Sequence, residues 1–239
     1  MRELMQYTWE IGVQHFVEFF EGIKTKVILV DSYDDLTKYF EIMKKDDFLF
    51  IDFEYKPSTK SSPTNYISLY QICYSQGVVV IKQNTKKPSD QLRNFLSKES
   101  GNKFIGKGIN GDLTKLKQTF GDDFSINLED IEITRLAPKN ESLNFDAMVL
   151  KYARKPAADF NDKKITLSNW AAPKLSIAQV VYASFDVVAL FYCFPNFSPI
   201  RTIPFVAAPY KSCFISNSIR TIPMPKFHRP YSMKHSLLS

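Results

Sequence analysis

The chain has 239 residues, 44% of them hydrophobic and 14% aromatic, enough to fill the core of one domain with extensions. Three cysteines, Cys73, Cys193 and Cys213, without a C-x-x-C pair, argue against a disulfide framework or a cysteine zinc site and read as small core or tail residues. The formal charge of +6 resides in the tail, because residues 196–239 hold six Lys and Arg and no acid while 25 basic residues balance 25 acidic ones in the body.

The N-terminus has neither a leader pattern nor a long apolar run, and no segment reads as the roughly 18 apolar residues that span a bilayer. The expectation is a soluble, intracellular protein with no membrane association, the sequence leaving nucleus or cytoplasm open. Residues 1–25 read as an N-terminal extension, a short amphipathic helix with Val13, Phe16, Val17 and Phe20 on one face. KVILV at 26–30 predicts a strand; Asp31 or Ser32 can cap a helix running to about Lys45, and 47–55 predicts a second strand. Residues 56–64, with two prolines among Ser and Thr, predict a loop. YISLYQICY and GVVVIK then predict a hairpin turning around Ser75–Gly77.

Further on, a helix is expected from Pro88 to Lys98, a short strand at 103–106, and helices at 110–120, 143–153 and 176–194, the last ended by Pro195. Strands first, then strands alternating with helices, argue an α/β sheet covered by helices. The main domain is placed at 26–195. Residues 196–239, basic, rich in proline, lacking glycine and carrying IRTIP at 200–204 and again at 219–223, predict a disordered tail.

Chemistry concentrates in three segments. Asp52 and Glu54, two apart in LFIDFEY, leave one face of a strand about 6.5 Å apart along the chain, and the apolar residues around them suggest an interior strand with its acids at the carboxyl end. Asp112 follows Gly106, Gly108 and Gly111; alone it reads as a first-turn helix aspartate. Gly101–Gly108 comes one residue short of a phosphate-binding loop, but Gly108 stands where a hydroxyl must be and Phe104 and Ile105 look like strand. Tyr182 and Asp186 are i and i+4 on the last helix and share a face. Each acid lies in an apolar setting, where an ionised carboxylate needs a cation or hydrogen-bond partner. With His15, His228 and His235 the only histidines, imidazole chemistry between residues 16 and 227 is excluded. An oxygen-only set suits a hard octahedral cation, Mg2+ first and Mn2+ second, and two such ions can drive an in-line displacement at a phosphodiester.

FLFIDFEY, FIGKGINGDLTKL and LSNWAAPKLSIAQVVYASFDVVAL together resemble the three motifs of the DEDD superfamily of 3′-5′ exonucleases, in the tyrosine subgroup close to RNase D and Werner-syndrome-type exonuclease domains. The resemblance covers about residues 26–195. It implies a ribonuclease H-like fold with a mixed β-sheet, two metal ions held by Asp52, Glu54, Asp112 and Asp186, and Tyr182 orienting or helping to deprotonate the attacking water. It also implies a nucleic-acid partner with a 3′ end and release of nucleoside 5′-monophosphates. Trp170 matches too and reads as packing that seats the last helix, while the tail resembles nothing in the family. DNA and RNA are not distinguished, protein partners are not indicated, and the alternatives are an inactive nucleic-acid-binding or scaffold module of this fold and a proofreading subunit.

Overall fold

Strand β3 (Leu49–Tyr55) is apolar on both faces until its carboxyl end, and a strand of that kind belongs inside a sheet. The computed structural model, which describes residues 2–20, 23–55, 66–85, 87–132, 143–154, 162–197 and 220–221, places it there. Its neighbours are β4 (Ile67–Tyr74), antiparallel, and β6 (Phe104–Gly106), parallel. The sheet continues through β5 (Gly77–Lys82), β2 (Ile23–Asp31) and β1 (Gln14–Phe20) on one side and β7 (Leu128–Asp130) on the other, in the order β7-β6-β3-β4-β5-β2-β1-β8, where β8 is Arg220–Thr221. Parallel and antiparallel pairs mix, as expected. The hairpin β4–β5 turns in two residues, with Tyr74 paired to Gly77. Glycine is required there: φ is +139°, and a Cβ would stand 2.4 Å from the Lys26 carbonyl oxygen.

Each face of the sheet carries its own core. Helices α1 (Thr37–Met43), α2 (Asp90–Leu96) and α3 (Asn110–Phe120) cover one face, packing Phe40, Met43, Leu92, Phe95, Leu116 and Phe120 against Leu49, Ile51 and Phe53 of β3. On the other lie α4 (Phe145–Met148), which runs into a π-helical turn at Val149–Ala153, α5 (Lys163–Thr166) and the long α6 (Ile177–Phe197). Helix α6 starts at a capping box. The Ser176 hydroxyl accepts from the Gln179 backbone N–H at 3.2 Å, and Gln179 Oε1 accepts from the Ser176 N–H at 2.9 Å.

Several expectations change. Residues 14–20 are a strand, not a helix: they pair antiparallel with β2 and bury His15, Val17 and Phe19 by alternation, and a register shift between Glu18 and Phe20 buries Phe20 as well. That irregularity mimicked helical spacing. The preceding residues are tied to the start of α6 through Trp9 N–H to the Leu175 carbonyl (2.9 Å) and Ile177 N–H to the Tyr7 carbonyl (2.8 Å). Helix α1 starts at Thr37, where Asp35 accepts the Thr37 N–H, and α2 is capped by Ser89, so Pro88 precedes the helix rather than opening it. The expected helix at 143–153 is one α-helical turn followed by the π-helical turn.

Helix α6 passes through Pro195 to Phe197; the withheld N–H falls in the last turn, where one missing bond does little to a helix fixed by packing. The same helix corrects the reading of membrane segments, since Ile177–Phe194 has a mean hydropathy of 1.7 and is long enough to cross a bilayer. Within the fold 78% of that stretch is buried, so its apolar length serves as core. Of the tail, Arg220–Thr221 pair parallel with His15 and Phe16, against the expectation of disorder at those two residues. The rest of the tail and the loop expected at 56–64 lie outside the described residues.

Candidate active site

Asp52 and Glu54 follow Phe50 on the face of β3 that α6 covers, at the carboxyl end of an interior strand. Parallel pairing of Leu49 and Phe50 with Phe104 and Ile105 ends β6 beside them, and the chain turns directly into α3, with Asp112 in its first turn. Asp130, at the end of β7, pins that turn: its Oδ2 accepts the N–H groups of Gly108 at 2.7 Å and Ile109 at 3.4 Å. Gly108 sits at φ +68°, a conformation that costs glycine nothing.

Tyr182 and Asp186 lie one turn apart on α6, and the Tyr182 hydroxyl is near enough to the Asp186 carboxylate to favour its charged form. The Tyr182 ring is 6.1 Å from that of Trp170, which is wholly buried and donates Nε1–H to the Thr166 carbonyl at 3.1 Å. Trp170 thus packs against α6, in keeping with its reading as a residue that seats the last helix, and its contact there is with Tyr182. Gln179 Nε2 donates to the Ser168 hydroxyl at 2.9 Å, binding the same loop to the helix.

All five sequence-predicted residues share one electrostatic site. Burial raises Asp52 to about 6. Burial, then the charge of Asp52, raises Asp112 to about 8. Glu54 is pushed well above the carboxylate range by burial and then by Asp52, Asp186 and Asp112. Asp186 is also pushed well up, by burial and then by Asp52 and Asp146, against the opposing hydrogen bond from Tyr182. Burial and then Asp186 raise Tyr182 as well, so its hydroxyl stays protonated. Each group destabilises its neighbours' charge, which is the signature of clustered acids short of positive charge.

A cavity of about 330 Å3 opens over Asp52, Tyr182 and Asp186, walled by Phe145, Phe185 and Leu190 and bordered by Lys107, Gly108 and Asp146. Lys107 Nζ lies 2.8 Å from Glu132 Oε1, and that same oxygen accepts the Leu143 N–H at 3.1 Å. Glu132 thereby fastens the Lys107 loop to the segment that leads into α4. Lys107, Asp130, Glu132 and Asp146 were not picked out from sequence. Their only signal was an acidic or basic residue near a motif, and such residues are usually solvated.

Among the described residues no three acids, histidines or cysteines are drawn together tightly enough to hold an ion as they stand. The donor set itself fits a hard divalent cation: four carboxylates, no imidazole or thiolate, and mutual repulsion that a cation between them would relieve.

A protein-family model described as a 3′-5′ exonuclease matches residues 27–200. Among solved structures, the EXO domain of Aedes aegypti Nibbler is 17% identical with a TM-score of 0.58, covering 77% of this chain and 92% of its own. Escherichia coli RNase D, an exoribonuclease involved in structured RNA processing, is 20% identical with a TM-score of 0.57; the match covers 71% of this chain but only 43% of RNase D. Brucella melitensis NrnC bound to pGG is 21% identical with a TM-score of 0.53, covering 72% of this chain and 79% of its own, and NrnC is also known with bound Mg2+. At these identities the likeness is one of fold, the ribonuclease H-like arrangement expected from the motifs. No curated protein matches the chain in sequence.

Proposed function

The chain belongs to the 3′-5′ exonuclease family of the DEDD superfamily, and on that premise we propose that it hydrolyses the terminal phosphodiester of DNA or RNA, releasing nucleoside 5′-monophosphates from the 3′ end. The supporting observation is the convergence of Asp52, Glu54, Asp112 and Asp186, from three distant segments, on one buried site where each raises another's pKa. In this reading the four acids hold two Mg2+ or Mn2+ ions. When bound, such ions supply charge stabilisation at the phosphate and lower the pKa of water.

The chain's own residues do the rest. The Tyr182 hydroxyl, kept protonated one helical turn from Asp186, orients the attacking water by a hydrogen bond. Phe145, Phe185 and Leu190 give the cavity an apolar wall against which a terminal nucleoside can pack. Lys107, held by Glu132 at the rim, presents a positive charge to phosphate beside an otherwise acidic floor.

The test is degradation of matched single-stranded DNA and RNA oligonucleotides, 5′-labelled to follow stepwise shortening, with Mg2+, Mn2+ or EDTA. Shortening one nucleotide at a time from the 3′ end in either metal, and none in EDTA, is expected. A protein that binds the oligonucleotides without shortening them under any condition would replace the hydrolytic reading with that of a binding module.

A further inference from the structure

Gln71 is wholly buried in the middle of β4, yet neither its amide nitrogen nor its amide oxygen has a hydrogen-bond partner among the described residues. Its same-face neighbours on the strand, Leu69 and Cys73, are core residues. A leucine or methionine would fill the position without leaving a polar group unsatisfied, so packing gives no reason for an amide here.

The register supplies one. In the antiparallel pair of β3 and β4, Gln71 stands directly opposite Asp52, while its other neighbour across the sheet is Val80. Opposed residues of such a pair share a face, with Cβ atoms about 4.5–5.5 Å apart. That separation is within reach of an amide at the end of a glutamine side chain. Asp52 has one carboxylate oxygen, Oδ1, occupied by the N–H of Phe53 at 2.9 Å. We propose that Gln71 is a positioning residue, whose NH2 group donates to the Asp52 carboxylate when a divalent cation is held there and so fixes the direction in which that acid meets the ion. Carboxylates that ligate metals are generally oriented by such outer hydrogen bonds, whose loss costs about 10–100-fold in affinity or activity. The proposal rests on the reading of Asp52 as a metal-holding acid.

The test compares wild type with Gln71→Met in three measurements: melting temperature in EDTA, the rise of melting temperature on Mn2+ titration, and the rate of oligonucleotide shortening. Gln71→Met is expected to melt in EDTA at or above the wild-type temperature, because an unsatisfied amide has been replaced by an apolar chain of similar length. It should also need about tenfold or more Mn2+ to reach half of its thermal shift, and turn over 10–100-fold more slowly at a fixed metal concentration. A purely structural glutamine would lower the melting temperature in EDTA and leave the Mn2+ midpoint where it is, and that result overturns the proposal. Should methionine not be accommodated, Gln71→Leu carries the same readings. A wild-type protein with no Mn2+-dependent shift overturns both the metal site and the role of Gln71; a wild-type shift that Gln71→Met reproduces within twofold overturns Gln71 alone.

Discussion

The two faces of the sheet are built to different rules. On the face covered by α1, α2 and α3 the contacts are apolar and aromatic, with Phe40 stacked on Phe95 at 3.9 Å and Phe120 on Phe124 at 4.4 Å. On the face covered by α6, an equally buried core surrounds acids that raise one another's pKa and an amide without a partner. Burying ionised groups costs several kcal/mol each. A helix such as α6 bears that cost because Val180, Val181, Val187, Val188 and Leu190 each contribute about 1.5–3 kcal/mol of burial. One face is optimised for stability, and the other spends some of it on a site.

Exchanging one residue on each face is the strongest way to break this comparison. Asp186→Asn should slow hydrolysis on the order of 10²–10³-fold or more and, in EDTA, raise the melting temperature, since an amide has no proton to hold at the cost that burial and Asp52 impose on the carboxyl. Phe95→Ala, on the apolar face, should cost about 3–5 kcal/mol of stability while the folded fraction keeps its turnover. Denaturant melts and single-turnover rates on both variants check the pair. A destabilised Asp186→Asn would mean the acid is structural.

Tyr182→Phe keeps the ring against Trp170 and removes only the hydroxyl. Turnover should fall about 10²-fold with little change in metal binding, whereas a purely structural tyrosine would lose about 1 kcal/mol of stability at an unchanged rate.

A smaller effect sharpens the same contrast through pH. Asp52 and Asp112 hold protons in the folded state up to about 6 and about 8, well above the pH at which an unfolded carboxylate loses them. Folded pKa values above unfolded ones mean stability that is full below about pH 4 and lost as pH rises through about 6 to 8. In EDTA the melting temperature should therefore decline between pH 5 and 8.5, and Mg2+ should flatten the decline. A flat profile in EDTA would show that the acids are not clustered as described.

The smallest effect belongs to the tail. Among the described residues the tail contributes the two paired residues Arg220–Thr221 at the sheet edge, and a chain ending at Phe197 should melt within about 2–4 °C of the full protein and keep its metal-dependent activity. An insoluble truncation would show that the edge needs its cover.

Much of this was local enough to be written in the chain. Period-two alternation put Asp52 and Glu54 on one strand face, i to i+4 spacing put Tyr182 under Asp186, and the two-residue turn before Gly77 set the register of β4 against β5. What the sequence could not determine depended on contacts between distant segments. Residues 14–20 carry both a helical and a strand pattern, and pairing with β2 decided between them. Glu132 meets Lys107 and Asp130 meets Gly108 only because β7 lies beside β6. Gln71, an unremarked letter in YISLYQICY, stands against Asp52 through a register set by the whole β3–β4 ladder. Local periodicity fixes which side of an element a residue takes; which residue it then faces is a property of the assembled sheet.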